Sequence, residues 1–193
     1  IDRDAYLNWL IRHKGKQIIK VVSGVRRCGK STLFSIYQDY LLQNGVDASQ
    51  IIMLNFEDIE YEELSNYRLL YDYIKSLLLP DRMNYIFLDE IQHVEQFEKA
   101  VDSLFLKENC DVYITGSNAY FMSGELATQL SGRYVELKML PLSFAEFCSG
   151  LVEEKQALSK NEKFNMYLEL SSFPYILRYN YGPKESKEYL RDI

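Results

Sequence analysis

Gly24-Val25-Arg26-Arg27-Cys28-Gly29-Lys30-Ser31 spells G-x-x-x-x-G-K-S, the spacing of a phosphate-binding loop. The residues before it, Ile18-Ile19-Lys20-Val21-Val22-Ser23, are short and β-branched, as a buried strand requires. Those after it open a helix, with apolar residues at 33, 36, 37, 40 and 41. Two glycines let the backbone bend so that successive N–H groups point into one concavity, and the following helix adds its positive end. A polyphosphate fits there. The expected contacts run from Gly24 through Val25, Arg26, Arg27, Cys28, Gly29, Lys30 and Ser31 to Thr32. Lys30 reaches the β- and γ-phosphates, and the Ser31 hydroxyl takes a place on Mg²⁺, which binds few protein ligands directly. An ordinary glycine turn would not require the strand, the Lys and the hydroxyl together.

About sixty residues on comes Tyr85-Ile86-Phe87-Leu88-Asp89-Glu90, an apolar run closed by two carboxylates. A continuous apolar run suits a strand buried on both faces of a parallel sheet, whose carboxyl edge is where such sheets bind ligands. Asp89 is the expected Mg²⁺ residue, and Glu90 orients or deprotonates an attacking water. The next strand, Asp111 to Gly116, ends in Ser117-Asn118. Beside the Asp-Glu strand these place a hydroxyl or amide near the γ-phosphate, although Ser and Asn are also ordinary turn and capping residues.

The 193 residues suffice for one α/β domain with a small appendage. Twenty-two basic against 28 acidic residues give a net charge of −6, which offers no global attraction to nucleic acid or an anionic membrane. Three separated cysteines, Cys28, Cys110 and Cys148, suggest neither a disulfide framework nor a zinc site, and fit a reducing, cytoplasmic setting. No apolar run is long enough for a membrane span. The chain starts at Ile1 and stops in a charged, helix-like stretch, so a fragment of a longer protein is expected.

Periodicity predicts helices over 3–14 and from the loop to about Gln43, then a strand over 51–56. The acidic cluster Glu57, Asp58, Glu60, Glu62 and Glu63 is expected to begin the next helix, since acids favour a first turn. That helix carries Leu64, Tyr67, Tyr71, Ile74 and Leu78 and stops before Pro80. Further helices are expected over 94–107 and 120–130, and a strand over 134–139. Ser143 and Glu146 form a capping-box pattern. Residues 151–160 are polar, an exposed link to a helix near 161–171 that Phe173-Pro174 breaks. The expected domains are therefore a core over 1–150 and the beginning of a helical lid or C-terminal unit over 151–193.

In order, Gly-x-Arg-Arg-x-Gly-Lys-Ser, Phe-Leu-Asp-Glu-Ile-Gln, Tyr-Ile-Thr-Gly-Ser-Asn, Leu-Ser-Gly-Arg-Tyr and Pro-Leu-Ser-Phe-x-Glu-Phe resemble the AAA+-type ATPases of bacteria and archaea, over about residues 1–180. The resemblance implies a three-layer α/β P-loop NTPase with a parallel five-stranded sheet in the order 5-1-4-3-2. It implies ATP and Mg²⁺, with Gly24, Gly29, Lys30 and Ser31 on phosphates and metal, Asp89 on metal and Glu90 on water. Ser117 or Asn118 matches the sensor position. Asn55 resembles the polar residue that in some relatives holds the catalytic Glu off the water until a partner binds. Arg133 is the arginine for γ-phosphate charge, in its own or a neighbouring subunit, or else a structural ion pair. A second copy or a client protein is the implied partner. Where relatives often read Gly-Gly, this chain has Ser171-Ser172, which leaves the lid contact and any second sensor arginine open. A phosphotransferase or an ATP-switched binding module would share the same loop.

Overall fold

The computed structural model describes residues 3–117 and 130–191. Five parallel strands form one sheet: β1 (Ile19–Gly24), β2 (Ile51–Asn55), β3 (Asn84–Asp89), β4 (Cys110–Ser117) and β5 (Tyr134–Met139). Their order is β2-β3-β4-β1-β5, the expected 5-1-4-3-2 read from the other edge. Every residue of β1 and β3 is buried, β3 around its apolar run Tyr85–Leu88 and β1 with Lys20 and Ser23 buried among its apolar residues.

Alternation along the strands makes the three layers. Val21, Ile86, Leu88, Val112 and Ile114 face α3 (Tyr67–Leu77) and α4 (Phe97–Phe105), which contribute Leu70, Ile74, Val101 and Leu104. The residues between them, Val22, Tyr85, Phe87 and Tyr113, face α1 (Asp4–His13) and α2 (Lys30–Gln43), meeting Leu10, Phe34, Tyr37 and Leu41. On this second face lies a buried ion pair. Lys20 holds Asp111, which also accepts from the Tyr113 hydroxyl at 2.8 Å and the Gly15 N–H at 2.7 Å.

A third apolar cluster joins α5 (Phe144–Ser149), α7 (Lys160–Leu170), α8 (Pro174–Arg178) and α9 (Pro183–Arg191) through Phe147, Leu170, Ile176 and Tyr189. The Ser143–Glu146 capping box forms as expected, and Ser159–Glu162 makes another. The polar link contains a short helix, α6 (Glu153–Gln156).

Two helix starts differ from expectation. α3 begins at Tyr67, where the Asn66 side chain accepts from the N–H groups of Arg68 and Leu69. The acidic cluster instead occupies a turn and a 3₁₀ turn over Ile59–Tyr61. Residues 65–66 pair with Glu95 through Glu95 N–H to the Ser65 carbonyl (2.8 Å) and Tyr67 N–H to the Glu95 carbonyl (2.9 Å). This tertiary pairing holds both segments extended and delays α4 to Phe97, after a left-handed Gln96. The helix expected over 120–130 lies outside the described residues, apart from Leu130.

Candidate functional site

The loop between β1 and α2 is fixed by close packing. A Cβ at Gly24 would stand 2.4 Å from the Met139 carbonyl oxygen and 2.9 Å from Cys28 Sγ, so only glycine fits there. Gly29 has φ +104 and starts α2, placing Lys30, Ser31 and Thr32 in its first turn, where N–H groups are free of helix partners. Arg27 also takes a left-handed conformation, φ 64, unusual for a side chain of its length. Its guanidinium lies 5.0 Å from the centre of the Tyr189 ring, tying the loop to α9.

The loop opens on a cavity of about 910 Å³. Arg26, Arg27, Cys28, Gly29, Lys30, Ser31, Thr32, Glu57 and Glu90 line one side of it. Ile36, Leu142 and residues of the C-terminal helices, including Tyr175, Leu177, Arg178, Tyr181 and Tyr189, line the rest. Gly24 and Val25 shape the loop from beneath, and their carbonyls accept from Lys30 Nζ at 3.2 and 3.4 Å. Cys28 is buried, and burial pushes its thiol up from the ordinary value, which makes it an inert spacer.

The two carboxylates have different surroundings. Asp89 is fully buried at the end of β3, and Oδ1 accepts from the Thr115 hydroxyl of the neighbouring strand. Its Oδ2 has no hydrogen-bond partner among the described residues. Burial pushes this carboxyl up; the Ser31 and Thr115 hydroxyls oppose the shift, while the nearby Glu90 charge reinforces it. A buried acid with a free oxygen beside a serine hydroxyl suits a hydrated divalent cation, which needs few protein ligands. Among the described residues no group of three or more His, Cys, Asp or Glu forms a self-sufficient metal cage.

Glu90 has φ 53, a left-handed conformation that costs about 1–2 kcal/mol for a non-glycine residue. Its N–H donates to Thr115 Oγ1 at 2.9 Å, so one hydroxyl orients both acids. Glu90 Oε1 pairs with Lys30 Nζ at 3.0 Å, and Oε2 accepts from Gln92 Nε2 at 2.6 Å.

The remaining expected residues are dispersed. Asn55 lies beside Asp89 in register, but its side-chain oxygen accepts from the Glu57 N–H at 3.1 Å and makes no hydrogen bond to Glu90. Ser117 ends β4 opposite Gly24, at the loop's edge of the sheet; Asn118 lies outside the described residues. Arg133 precedes β5 at the opposite edge and pairs with Asp102. At about 3.3 Å per residue, β5 separates it from the loop by roughly 20 Å, so it does not reach this chain's own phosphate site. Arg26 pairs with Glu57 at 3.0 Å across the cavity rim.

Arg3 is a site residue that pattern reading missed. Its guanidinium donates to the Cys28 carbonyl at 2.8 Å, the Leu140 carbonyl at 2.5 Å and Glu146 at 2.9 Å, joining the loop to β5's exit and α5. Nothing in a lone arginine of α1's entrance signals that. Thr115 and Gln92 lay inside quoted motifs, yet only the parallel register of β3 and β4 and the turn after Glu90 bring them to the carboxylates.

A family model described as AAA domain matches residues 16–148. An uncharacterized protein of Haemophilus influenzae is 41% identical over 187 residues, covering 96% of this chain and 47% of that protein. Another, of Methanocaldococcus jannaschii, is 33% identical over 188 residues, covering 91% and 40%. The chain thus spans about half the length of the curated relatives it matches. Among solved structures, AMPPCP-bound DnaA of Aquifex aeolicus superposes with a TM-score of 0.59 at 12% identity, covering 92% of this chain and 59% of that one. A Walker-type ATPase of Pyrococcus abyssi gives 0.57 at 18%, covering 98% and 67%. These structures share the fold, and the family match covers most of the chain. With its phosphate loop and sheet order, the chain belongs to the AAA domain family of AAA+-type P-loop ATPases, a nucleotide-binding fold.

Proposed function

We propose that this chain binds ATP with Mg²⁺ and hydrolyses it to ADP and phosphate, coupling turnover to a change of shape felt by a partner. The observation that carries the proposal is the pairing of Lys30 with Glu90 in the lining of a cavity large enough for a nucleotide, with Asp89 buried behind them at the end of β3. The loop N–H groups and Lys30 hold the β- and γ-phosphates. Ser31 and Asp89 are the residues for Mg²⁺, which when bound neutralises phosphate charge. Glu90 takes the proton of the attacking water. Ser117 and Asn118 would sense the γ-phosphate. We further propose a core to about residue 150 and a helical lid beyond it, with Tyr175, Tyr181 and Tyr189 flanking the base and Arg178 the candidate second sensor. Arg133 can serve only a neighbouring copy's phosphate.

Turnover by the isolated chain is slow in this reading, because Lys30 holds Glu90 Oε1 until a phosphate competes for its ammonium. That same engagement favours, as a second reading, a module switched by ATP with little hydrolysis. A phosphotransferase is less well supported, since a carboxylate at Glu90 suits water as acceptor. Client, oligomer and cytoplasmic location belong to the proposal; among the described residues no helix is long and apolar enough to cross a membrane. The net charge of −6 gives nucleic acid no support as a partner. The test measures ATP affinity and phosphate release. Lys30→Ala is expected to lose binding, and Glu90→Gln to keep binding and lose turnover. Equal turnover by Glu90→Gln and wild type refutes the role of Glu90.

A further inference from the structure

We propose that Gln92 is the positioning residue for the Glu90 carboxylate, turning it toward water, whereas the family resemblance gives Asn55 the opposite task of holding that glutamate off the water. The inference rests on the ATPase reading and deepens it. Residues two apart on a helix do not face each other. Here they do, because Glu90 takes φ 53 and the chain then closes a 3₁₀ turn over Ile91–His93, carrying Gln92 back beside the Glu90 side chain. The turn is anchored from both ends: Glu90 N–H donates to Thr115, and Val94 N–H donates to the Ile91 carbonyl at 3.0 Å. A carboxylate only accepts, which orients the Gln92 amide with its NH₂ group toward Oε2, at 2.6 Å. Asn55 Oδ1 accepts from the Glu57 N–H, and its amide donates no hydrogen bond to Glu90.

The other Glu90 oxygen, Oε1, is held by Lys30 at 3.0 Å. A γ-phosphate arriving at Lys30 competes for that ammonium and leaves Gln92 as the side chain that still grips Glu90. Oε1 is then the oxygen turned to water, with Oε2 fixed by Gln92. The Gln92 carboxamide oxygen is buried with no hydrogen-bond partner among the described residues, so that end of the amide is not spent elsewhere in the turn. Gln92 acts through Glu90 and need not touch the nucleotide; it is not among the residues lining the cavity.

Three variants and one double variant test this in the full chain with Mg-ATP. Gln92→Leu keeps the bulk and removes the donor. It is expected to lower kcat by about 10–100-fold, the usual cost of removing an orienting partner, with KM, ATP affinity and melting temperature near those of wild type. Gln92→Glu, an isostere that repels Glu90, is expected to fall further; Gln92→His, which retains a donor, is expected to recover part of the rate. In the Glu90→Gln background, adding Gln92→Leu is expected to change the residual single-turnover rate by less than about twofold, because residues that act as a unit are not additive. Equal kcat for wild type and Gln92→Leu, or a full additional loss in the Glu90→Gln background, overturns this inference and leaves the ATPase reading intact. A wild-type chain that binds ATP without releasing phosphate overturns the hydrolytic reading and this one with it.

Discussion

Replacing Arg3 by alanine removes one planar donor group that holds three segments together. The Cys28 and Leu140 carbonyls each lose a charge-assisted bond, and Glu146 loses its ion-pair partner. Such bonds contribute about 1.5–3 kcal/mol apiece. They share one side chain, and the Arg3 and Glu146 side chains keep 12% and 19% exposure, so screening and non-additivity reduce the sum. The net expectation is roughly 3 kcal/mol. For a chain of this length that lowers Tm by roughly 6–12 °C, read by calorimetry or circular dichroism.

The pH dependence gives the reasoning a second edge. Burial alone would raise the Glu146 carboxyl, but the Ser143 N–H and hydroxyl together with Arg3 outweigh it and hold the carboxyl below its ordinary value. A carboxyl lowered on folding stabilises the fold above its unfolded pKa, and that stability is lost as pH falls through the folded value. The gap between wild type and R3A therefore narrows on acidification. Arg3→Lys keeps the charge without the fork and is expected to fall between the two. ATP affinity should drop with R3A, since the Cys28 carbonyl lies inside the phosphate loop. A Tm within about 2 °C of wild type, or a gap that stays constant from about pH 7 to about pH 3, refutes the argument.

Three further outcomes are expected. Gly24→Ala forces a Cβ against the Met139 carbonyl and Cys28, and should cost about 2–3 kcal/mol in urea unfolding while abolishing ATP binding. Glu90→Gly should be more stable than Glu90→Ala by about 1 kcal/mol although both lose turnover, because only glycine adopts φ 53 without strain; equal Tm values would show the conformation carries no cost. Lys20→Met leaves Asp111 a buried charge without its counterion and should cost about 3–5 kcal/mol, part of it recovered by adding Asp111→Asn, which removes the charge and keeps an acceptor for Tyr113 and Gly15, as a chemical denaturation series would show.

The fold was readable because its signals are local and strong. β3 holds an unbroken apolar run over 85–88, β1 is short and β-branched, the loop between β1 and α2 has the spacing of a phosphate-binding motif, and Ser143–Glu146 announces its own cap. Helix starts depart from the local pattern where a distant segment decides them. Acids at 57–63 look like a first turn, but the pairing of residues 65–66 with Glu95 moves the start of α3 to Tyr67. No propensity encodes a bridge between residues so far apart.

The same division runs through the candidate site. From its motifs the sequence determined the phosphate loop and the two carboxylates, since each depends on residues adjacent in the chain; the order of the sheet followed only from the family resemblance those motifs carry. Only the tertiary structure decided which neighbours those groups have. It set Arg133 at the far edge of the sheet and paired it with Asp102, turned Asn55 to Glu57, brought Thr115 to Asp89 across a strand register, and folded Gln92 onto Glu90. It also tied the loop to residues far away in sequence, through Arg3 and through Arg27 on Tyr189. A hydrogen bond depends on ångström distances between side chains, and for residues far apart in sequence the packing of the sheet and helices sets those distances.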